Sequence, residues 1–548
     1  MSNKLKLGIL LDSYHIPAWI YSSLEQIVSS KHARLLLVIL NTHHPRTNQS
    51  LRRDLTHVVY NLFQTIDRKL FSKRQSALDL KDSRSLLVNL NVIRVSPLQN
   101  GDQYFLSKDD INEIKKYQLD ILVKIGFGHL SGDIYTCSKY GIWTHDYFCG
   151  TEYSHGPWEV MESQNETLSI LRILRTEDEE DILYCSSFPT YPYSPSVNRN
   201  IACWGSASLL PRKIALLHCV GEKNFFTELK KRKVEFTSFQ PQEHRFPSNG
   251  LALKLITRHF LKILKELLQR LFYLDTWYLM FDLGSNTLHS IANFRKIVPP
   301  KESFLADPMI VKHDDSYYVF VEEYRYKKKR GIISVLEIDE KGNYSEPTSV
   351  LEKNYHLSYP FVFEWNGKFY LVPESAENRT IDLYECVEFP VKWKFKMSLM
   401  ENIKAVDTTL WFDDNKWWLF TGMIENEGAF PQVGLFLFVS DNLFTHEWRP
   451  HPLNPIVEDV KNARPAGRIF RKDGKTYRPS QDCSKGYGYG FYLNEIITLS
   501  ETEYKEAKLC AVKPDWDKKV LGVHTYGIAD NLTVIDAFIK RMKFGSAK

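Results

Sequence analysis

The chain has 548 residues, with 71 Lys+Arg against 66 Asp+Glu and a formal net charge of +5. At 43% hydrophobic and 25% charged residues the composition is ordinary for a globular protein, which excludes a disordered, collagenous or disulfide-scaffold chain. So mild a charge does not predict nucleic acid as a partner, and none is expected; about 150 residues per domain predicts three or four units, or fewer if a propeller takes half the length.

The N-terminal part alternates strand and helix patterns. Lys6–Leu11 and Arg34–Leu40 are short apolar runs that read as buried strands, separated by helical spacing over Ile16–Ser30 (Trp19, Ile20, Leu24, Ile27, Val28). Residues 46–85 form a polar, basic insertion with one helix near Leu55–Phe71. Leu86–Val95 reads as a third strand, Asp109–Tyr117 as a helix and Asp120–Gly126 as a fourth strand. This alternation predicts an α/β doubly wound parallel sheet. The turn after the first strand, Gly8-Ile-Leu-Leu-Asp12-Ser13, has no Gly-x-Gly-x-x-Gly, so a dinucleotide site is not expected.

The start of the chain lacks an apolar h-region and cleavage site, and no uncharged apolar run reaches the length of a membrane span. Eight scattered cysteines without a Cys-x-x-Cys pair read as free thiols. The expected location is cytoplasmic. No metal site is expected, the adjacent His43-His44 lying in a loop before Pro45.

Residues 221–272 hold 11 Lys+Arg and 5 Asp+Glu, an excess of six that exceeds the charge of the whole chain. Within them Leu251–Phe272 is a strong amphipathic helix with Lys254, Arg258, Lys262, Lys265 and Arg270 among its polar positions. Two readings stand: an interfacial helix touching anionic membrane, peripheral at its inner face, or a linker helix with a solvated basic face.

From about residue 300 one unit recurs: an anchor, an apolar strand, a polar turn and an aromatic strand. The anchors Asp307, Tyr359, Asp407, Ala466 and His524 each precede the second-strand marker (Tyr318, Tyr370, Trp418, Tyr477, Ile535) by 11 residues. Successive copies lie about 48 to 59 residues apart, the period of a β-propeller with a four-stranded sheet per blade. Five copies predict five blades, with Ile332–Ile338 and Leu435–Ser440 as third strands and the anchors round the channel mouth. The fourth copy is densest in polar groups: Arg464 and Arg468, then Gln481 and Asp482, a set suited to recognising hydroxyls or anions or, alternatively, to bracing two blades. Glu322, Glu323 and Glu374 follow second strands and either face the same cavity or are solvated edges.

Residues about 300–540 resemble the propeller domain at the N-terminus of plant glucosamine inositolphosphorylceramide transferases and of many bacterial proteins. The resemblance rests on Phe304-Leu-Ala-Asp307-Pro, His356-Leu-Ser-Tyr-Pro-Phe-Val-Phe363, Ala405-Val-Asp-Thr-Thr-Leu410, Ala463-Arg-Pro-Ala-Gly-Arg468 and Arg478-Pro-Ser-Gln-Asp-Cys483. The wider five-bladed superfamily contains arabinanases, xylosidases and fructosidases, and the resemblance implies that Asp307 corresponds to their base or nucleophile. Tyr359 stands where those enzymes carry an aspartate, and Asp407 lies about one residue out of register with their acid. Asp307, Asp407 and Glu374 are the carboxyl candidates for catalysis. Tyr359, Arg464, Arg468, Gln481, Asp482 and His524 are the candidates for sugar binding.

Residues 1–215 resemble a formyltransferase domain through Leu7-Gly-Ile-Leu-Leu-Asp12, Asp120-Ile-Leu-Val-Lys-Ile-Gly126, Gly141-Ile-Trp-Thr-His145 and Gly156-Pro-Trp-Glu159. The resemblance implies formyl-tetrahydrofolate as cofactor and His145 as general base, with Trp143 in place of the family's asparagine and Thr144 the nearest polar group. The expected organisation is multi-domain: a formyltransferase-like domain over 1–215, a basic helical connector over 216–295 and a five-bladed propeller over 296–540. The expected function is a bacterial carbohydrate-active enzyme transferring a formyl or acyl group to an amino sugar held by the propeller. The alternatives are a glycoside hydrolase-like propeller and a non-catalytic glycan-binding one.

Overall fold

The computed structural model describes residues 4–42, 57–71, 76–101, 103–145, 157–236, 247–284, 288–424 and 434–543. The chain forms two compact units, Met1–Ile263 and a second beginning at Leu264.

In the first unit seven strands make one mixed sheet: β1 (Leu5–Leu11), β2 (Ala33–Asn41), β3 (Asn91–Val95), β4 (Ile121–Lys124), β5 (Ile142–His145), β6 (Glu166–Leu174) and β7 (Glu180–Pro189), in the order β7-β6-β5-β4-β1-β2-β3. The five strands from β5 to β3 are parallel, and β6 and β7 add an antiparallel edge that the alternation of elements does not announce. Because strand side chains alternate, Leu7, Ile9 and Leu11 enter one core while Leu10 enters the other. Helix α1 (Ala18–Val28) buries Trp19, Ile20, Leu24 and Ile27 on the first face. On the second, α3 (Lys108–Lys115) buries Ile111 and Ile114, and its N-cap Ser107 accepts the Asp110 amide.

Leu86–Val95 does not form one strand. A short helix, Arg84–Leu87, precedes β3, leaving only the last five residues to pair with β2. In the insertion, α2 spans Val58–Leu70; His43 and His44 lie outside the described residues.

The connector is shorter than 216–295. After α4 (Pro195–Ser206), the helical stretch α5 (Leu209–Phe236) is broken by a kink at Gly221 (φ 78°); Leu217 before the kink and Phe225 after it both enter the first unit's core, and the Phe225 ring stacks on Trp143 at 6.0 Å. Among the described residues, α6 (Asn249–Phe272) is the one element that follows before the propeller begins. The propeller starts at Tyr273, since Tyr273–Leu283 pairs antiparallel along its whole length with Leu532–Met542. The ring is therefore closed by strands from both ends of the unit, and the fifth blade has the order Arg295–Ile297, Tyr273–Leu283, Leu532–Met542, Tyr526–Ala529. No apolar repeat announces the two N-terminal strands of this composite sheet.

Blades one to four are sequential four-stranded sheets. Their first strands are Ser303–His313, Ser358–Trp365, Ala405–Asp413 and Phe470–Lys472, and the expected third strands appear as Arg330–Asp339 and Leu435–Ser440. In blades one to three the pairing of the first two strands shifts at the anchor, and Asp307, Tyr359 and Asp407 have φ of 54°, 42° and 52°. A bulge with one left-handed residue re-aims the chain without ending the strand. Aspartate tolerates that conformation, whereas a tyrosine there is strained. In blade four the equivalent place has Ala466 followed by Gly467 at φ 135°, where a Cβ would lie 2.1 Å from the Tyr526 carbonyl oxygen. Gly467→Ala is therefore expected to cost about 1–3 kcal/mol, measured as a lower urea midpoint for propeller unfolding with the first unit unaffected.

Candidate sugar site at the propeller axis

The first strands of the blades bring the anchors together. The Asp307 carboxylate accepts the Tyr359 amide (3.1 Å) and the Thr525 hydroxyl (3.0 Å). The Asp307 amide donates to Asp536 (3.2 Å), which also accepts the amides of His524 (2.8 Å) and Thr525 (3.1 Å). The His524 ring lies between the two acids, Nε2 3.0 Å from Asp307 and Nδ1 2.9 Å from Asp536, with N–H directions off the hydrogen-bond axis. Burial disfavours the imidazolium, but Asp536 and Asp307 outweigh it and push His524 up to about 10. Burial likewise acts against ionised Asp307, yet His524 and the hydrogen bonds from Tyr359 and Thr525 hold it below the usual carboxylate range.

A second cluster adjoins the first. Arg464 grips Asp407 through Nε and Nη2, the latter at 3.2 Å, and Gln481 Nε2 donates to Asp407 at 3.0 Å. Glu374 accepts the Asp407 amide at 3.3 Å and lies 3.7 Å from Arg464. Burial first, then the nearby aspartates, raise Glu374 and Glu322 well above the ordinary carboxyl value. Two glutamic acids biased towards their protonated form thus lie beside aspartates clamped by donors. Tyr359 joins blades two and four: its hydroxyl accepts the Gly467 amide at 2.9 Å and lies 2.8 Å from the Thr409 hydroxyl.

Over this cluster sits Tyr487, which the repeat pattern does not single out. It is 49% exposed, its ring lies 4.8 Å from the Arg464 guanidinium and 5.2 Å from the His524 ring, and burial together with the negative charge of Asp307, Asp407 and Glu322 raises its hydroxyl well above the usual phenol value. A half-exposed aromatic side chain thus borders buried acids. A pyranose needs both: a flat apolar surface for its C–H face and charged acceptors and donors for its hydroxyls. The available signal for Tyr487 was Gly486-Tyr-Gly488, where glycines flank a projecting ring; Gly488 leaves no room for a Cβ beside Trp277.

Asp307, Tyr359, Glu374, Asp407, Arg464, Gln481 and His524 therefore converge, and Glu322 joins them. Two other expected binding residues do not point to a ligand. Asp482 accepts the Ser484 amide (3.0 Å) and hydroxyl (2.6 Å), closing its own turn. Arg468 spans to the Val362 carbonyl and covers the Phe361 ring at 5.2 Å; burial depresses it to about 10.

His145 and Thr144 belong to the first unit. Both are buried in β5: His145 is 2% exposed and edge-on to Trp19 at 5.1 Å, and Thr144 donates to the Lys124 carbonyl at 3.2 Å. Burial alone lowers His145 to about 3. It is neutral, as a base must be, but lacks an exposed approach. A small cleft lined by Ser23, Lys124, Thr144 and His145 adjoins it. Where the strand order reverses, the place for ligands in open α/β sheets, Asp12 accepts Asn41 (2.9 Å) and the Phe127 amide (3.1 Å).

Against the expectation of no metal site, two groups among the described residues gather three ligand atoms within 4.8 Å: Asp307, His524 and Asp536, and His32, His218 and Cys219. In the first the imidazolium already supplies the positive charge between the acids.

Residues 285–522 match the family model described as glucosamine inositolphosphorylceramide transferase 1, N-terminal. The propeller resembles that domain. Glucosamine inositolphosphorylceramide transferase 1 of Arabidopsis thaliana is 33% identical over 228 residues, 41% of this chain and 29% of that protein. The protein of the same name from Oryza sativa subsp. japonica is 32% identical over 207 residues, 37% of this chain and 28% of its own length. The chain thus spans under a third of these plant relatives. Among solved structures, a family 117 glycoside hydrolase from Zobellia galactanivorans aligns at 11% identity and TM-score 0.33, covering 48% of this chain and 90% of that one. A thermostable family-43 glycoside hydrolase aligns at 14% identity and TM-score 0.34, covering 45% and 92%.

With a folded value above its unfolded one, His524 contributes stability that is complete below about pH 6.5 and is lost as pH rises towards 10. His524→Asn should flatten the fall in the urea midpoint across that window, while leaving the first unit's transition unchanged.

Proposed function

We propose that this is a carbohydrate-active protein of glycan or glycolipid synthesis whose propeller holds a sugar residue over the axial cluster. The observation that carries this reading is the convergence of Asp407, Arg464, Glu374, Glu322 and His524 beneath the half-exposed face of Tyr487. The plant relatives named glucosamine inositolphosphorylceramide transferase favour an amino sugar or an inositol phosphate headgroup as the chemical class.

Holding fits the electrostatics better than cleavage. Glycoside hydrolysis needs one protonated carboxyl and one ionised carboxylate free to attack or to activate water. Here Asp307 and Asp407 are already engaged by donors, and burial with neighbouring negative charge favours the protonated forms of Glu322 and Glu374. Calorimetry with hexosamine-terminated oligosaccharides and with inositol phosphate should find a ligand whose affinity falls at least tenfold in Tyr487→Ala and in Glu374→Gln. Unchanged affinity in both variants, or rapid turnover of the ligand lost in Glu374→Gln, would replace this reading with a different site or with a hydrolase.

The first unit carries the second part of the reading, transfer of a formyl or other acyl group to an amino sugar. It is supported by a neutral His145 at the C-terminal end of β5, beside Thr144 and Lys124 on one cleft, the end at which open α/β sheets bind ligands. Formyl-tetrahydrofolate should bind the full chain and lose affinity on His145→Ala. Absence of binding at millimolar cofactor would leave the unit a structural or differently acylating domain.

A further inference from the structure

Helix α6 is amphipathic in an unusual order. Its buried side, Ala252, Leu255 and His259, packs with Tyr60 and Phe63 of α2 and with Trp158. The side that solvent sees is also apolar. Leu253, Phe260, Leu264, Leu267 and Leu271 are each 53% to 60% exposed. At 100° per residue they fall within an arc of about 60°, centred roughly 120° from the buried side. Leu261 and Leu268, 62% and 49% exposed, widen this apolar arc to about 120°, and Lys254, Arg258, Lys262 and Lys265 fill the arc beyond them. Soluble helices do not usually spend seven large apolar side chains on water, and a patch of this kind marks an interaction surface. On α2, Leu62, Ile66 and Leu70 repeat the pattern on a second helix, at 59%, 47% and 69% exposed.

Charge distinguishes the occupants. The spacing of the five residues would also suit a coiled-coil seam. A second copy of α6 would then set lysine rows against lysine rows, with Glu266 the one acid in the helix to answer them. An anionic bilayer instead receives the leucines among its acyl chains and the lysines among its phosphates. No described helix is long and apolar enough to cross a membrane, so α6 would lie in the plane of the surface. We infer that α6 docks the protein onto anionic phospholipid through its exposed leucine face, with its lysine flank reading the headgroup charge. This inference stands independently of the sugar site, since it uses no residue of the propeller axis.

The test is co-sedimentation of the full chain with phosphatidylcholine vesicles and with mixed phosphatidylcholine–phosphatidylglycerol vesicles, light scattering recording the state without lipid. Partition at least tenfold stronger onto the mixed vesicles, weakening with salt, is expected. Leu264→Ser/Leu267→Ser/Leu271→Ser should abolish it, and Lys254→Gln/Lys262→Gln/Lys265→Gln should remove only the preference for anionic lipid. Unchanged circular dichroism and urea midpoints would show that both variants fold. No partition onto either vesicle, equal partition onto both, or a lipid-independent dimer that the leucine variant dissociates would overturn the inference.

Discussion

The propeller is organised around buried carboxylates that accept main-chain N–H groups from the adjoining blade. Asp536 of blade five takes the Asp307 amide of blade one, Asp307 takes the Tyr359 amide of blade two, and Glu374 of blade two takes the Asp407 amide of blade three. Each donated N–H belongs to a residue in the left-handed region at a strand bulge. The bulge frees that amide from its own sheet, and a buried amide must then find another acceptor. Position of the acids and closure of the ring are one constraint.

That constraint explains the uneven charge states. Carboxylates that receive several donors remain ionised despite burial, as Asp307 does between His524, Thr525 and Tyr359. Glu322 and Glu374 receive fewer, and burial with neighbouring negative charge shifts both towards the protonated form. Arginine 464, between Asp407 and the Tyr487 ring, links the structural acids to the exposed aromatic face. The residues that close the propeller thereby also form the floor of the candidate site, so substitutions of Asp307, Glu374 or Asp407 would be expected to disturb folding before chemistry, whereas Tyr487 reports on ligand more directly.

The two units differ in how openly their sequences declare a site. In the propeller an 11-residue interval between anchor and marker placed five positions on one axis, because strand length and hairpin geometry repeat from blade to blade. Tyr487 escaped that pattern because it lies in a loop outside the repeated hairpin. Asp482, adjacent to the informative Gln481, points the other way because successive strand residues alternate in direction. In the first unit the motif around His145 was legible, but its burial against Trp19 was not, since it depends on how α1 covers the sheet.

The sequence by itself determined the strand–helix alternation, the five-fold repeat, the anchors and the basic amphipathic helix, all of which are periodicities set by local backbone geometry. Only the tertiary structure decided that Tyr273–Leu283 closes the ring, that β6 and β7 run antiparallel, that Asp536 and Tyr487 complete the axial cluster, and that α6 turns leucines outward. Those features depend on pairings between segments up to about 270 residues apart, and no local pattern records which distant strand, helix or charge will arrive to satisfy them.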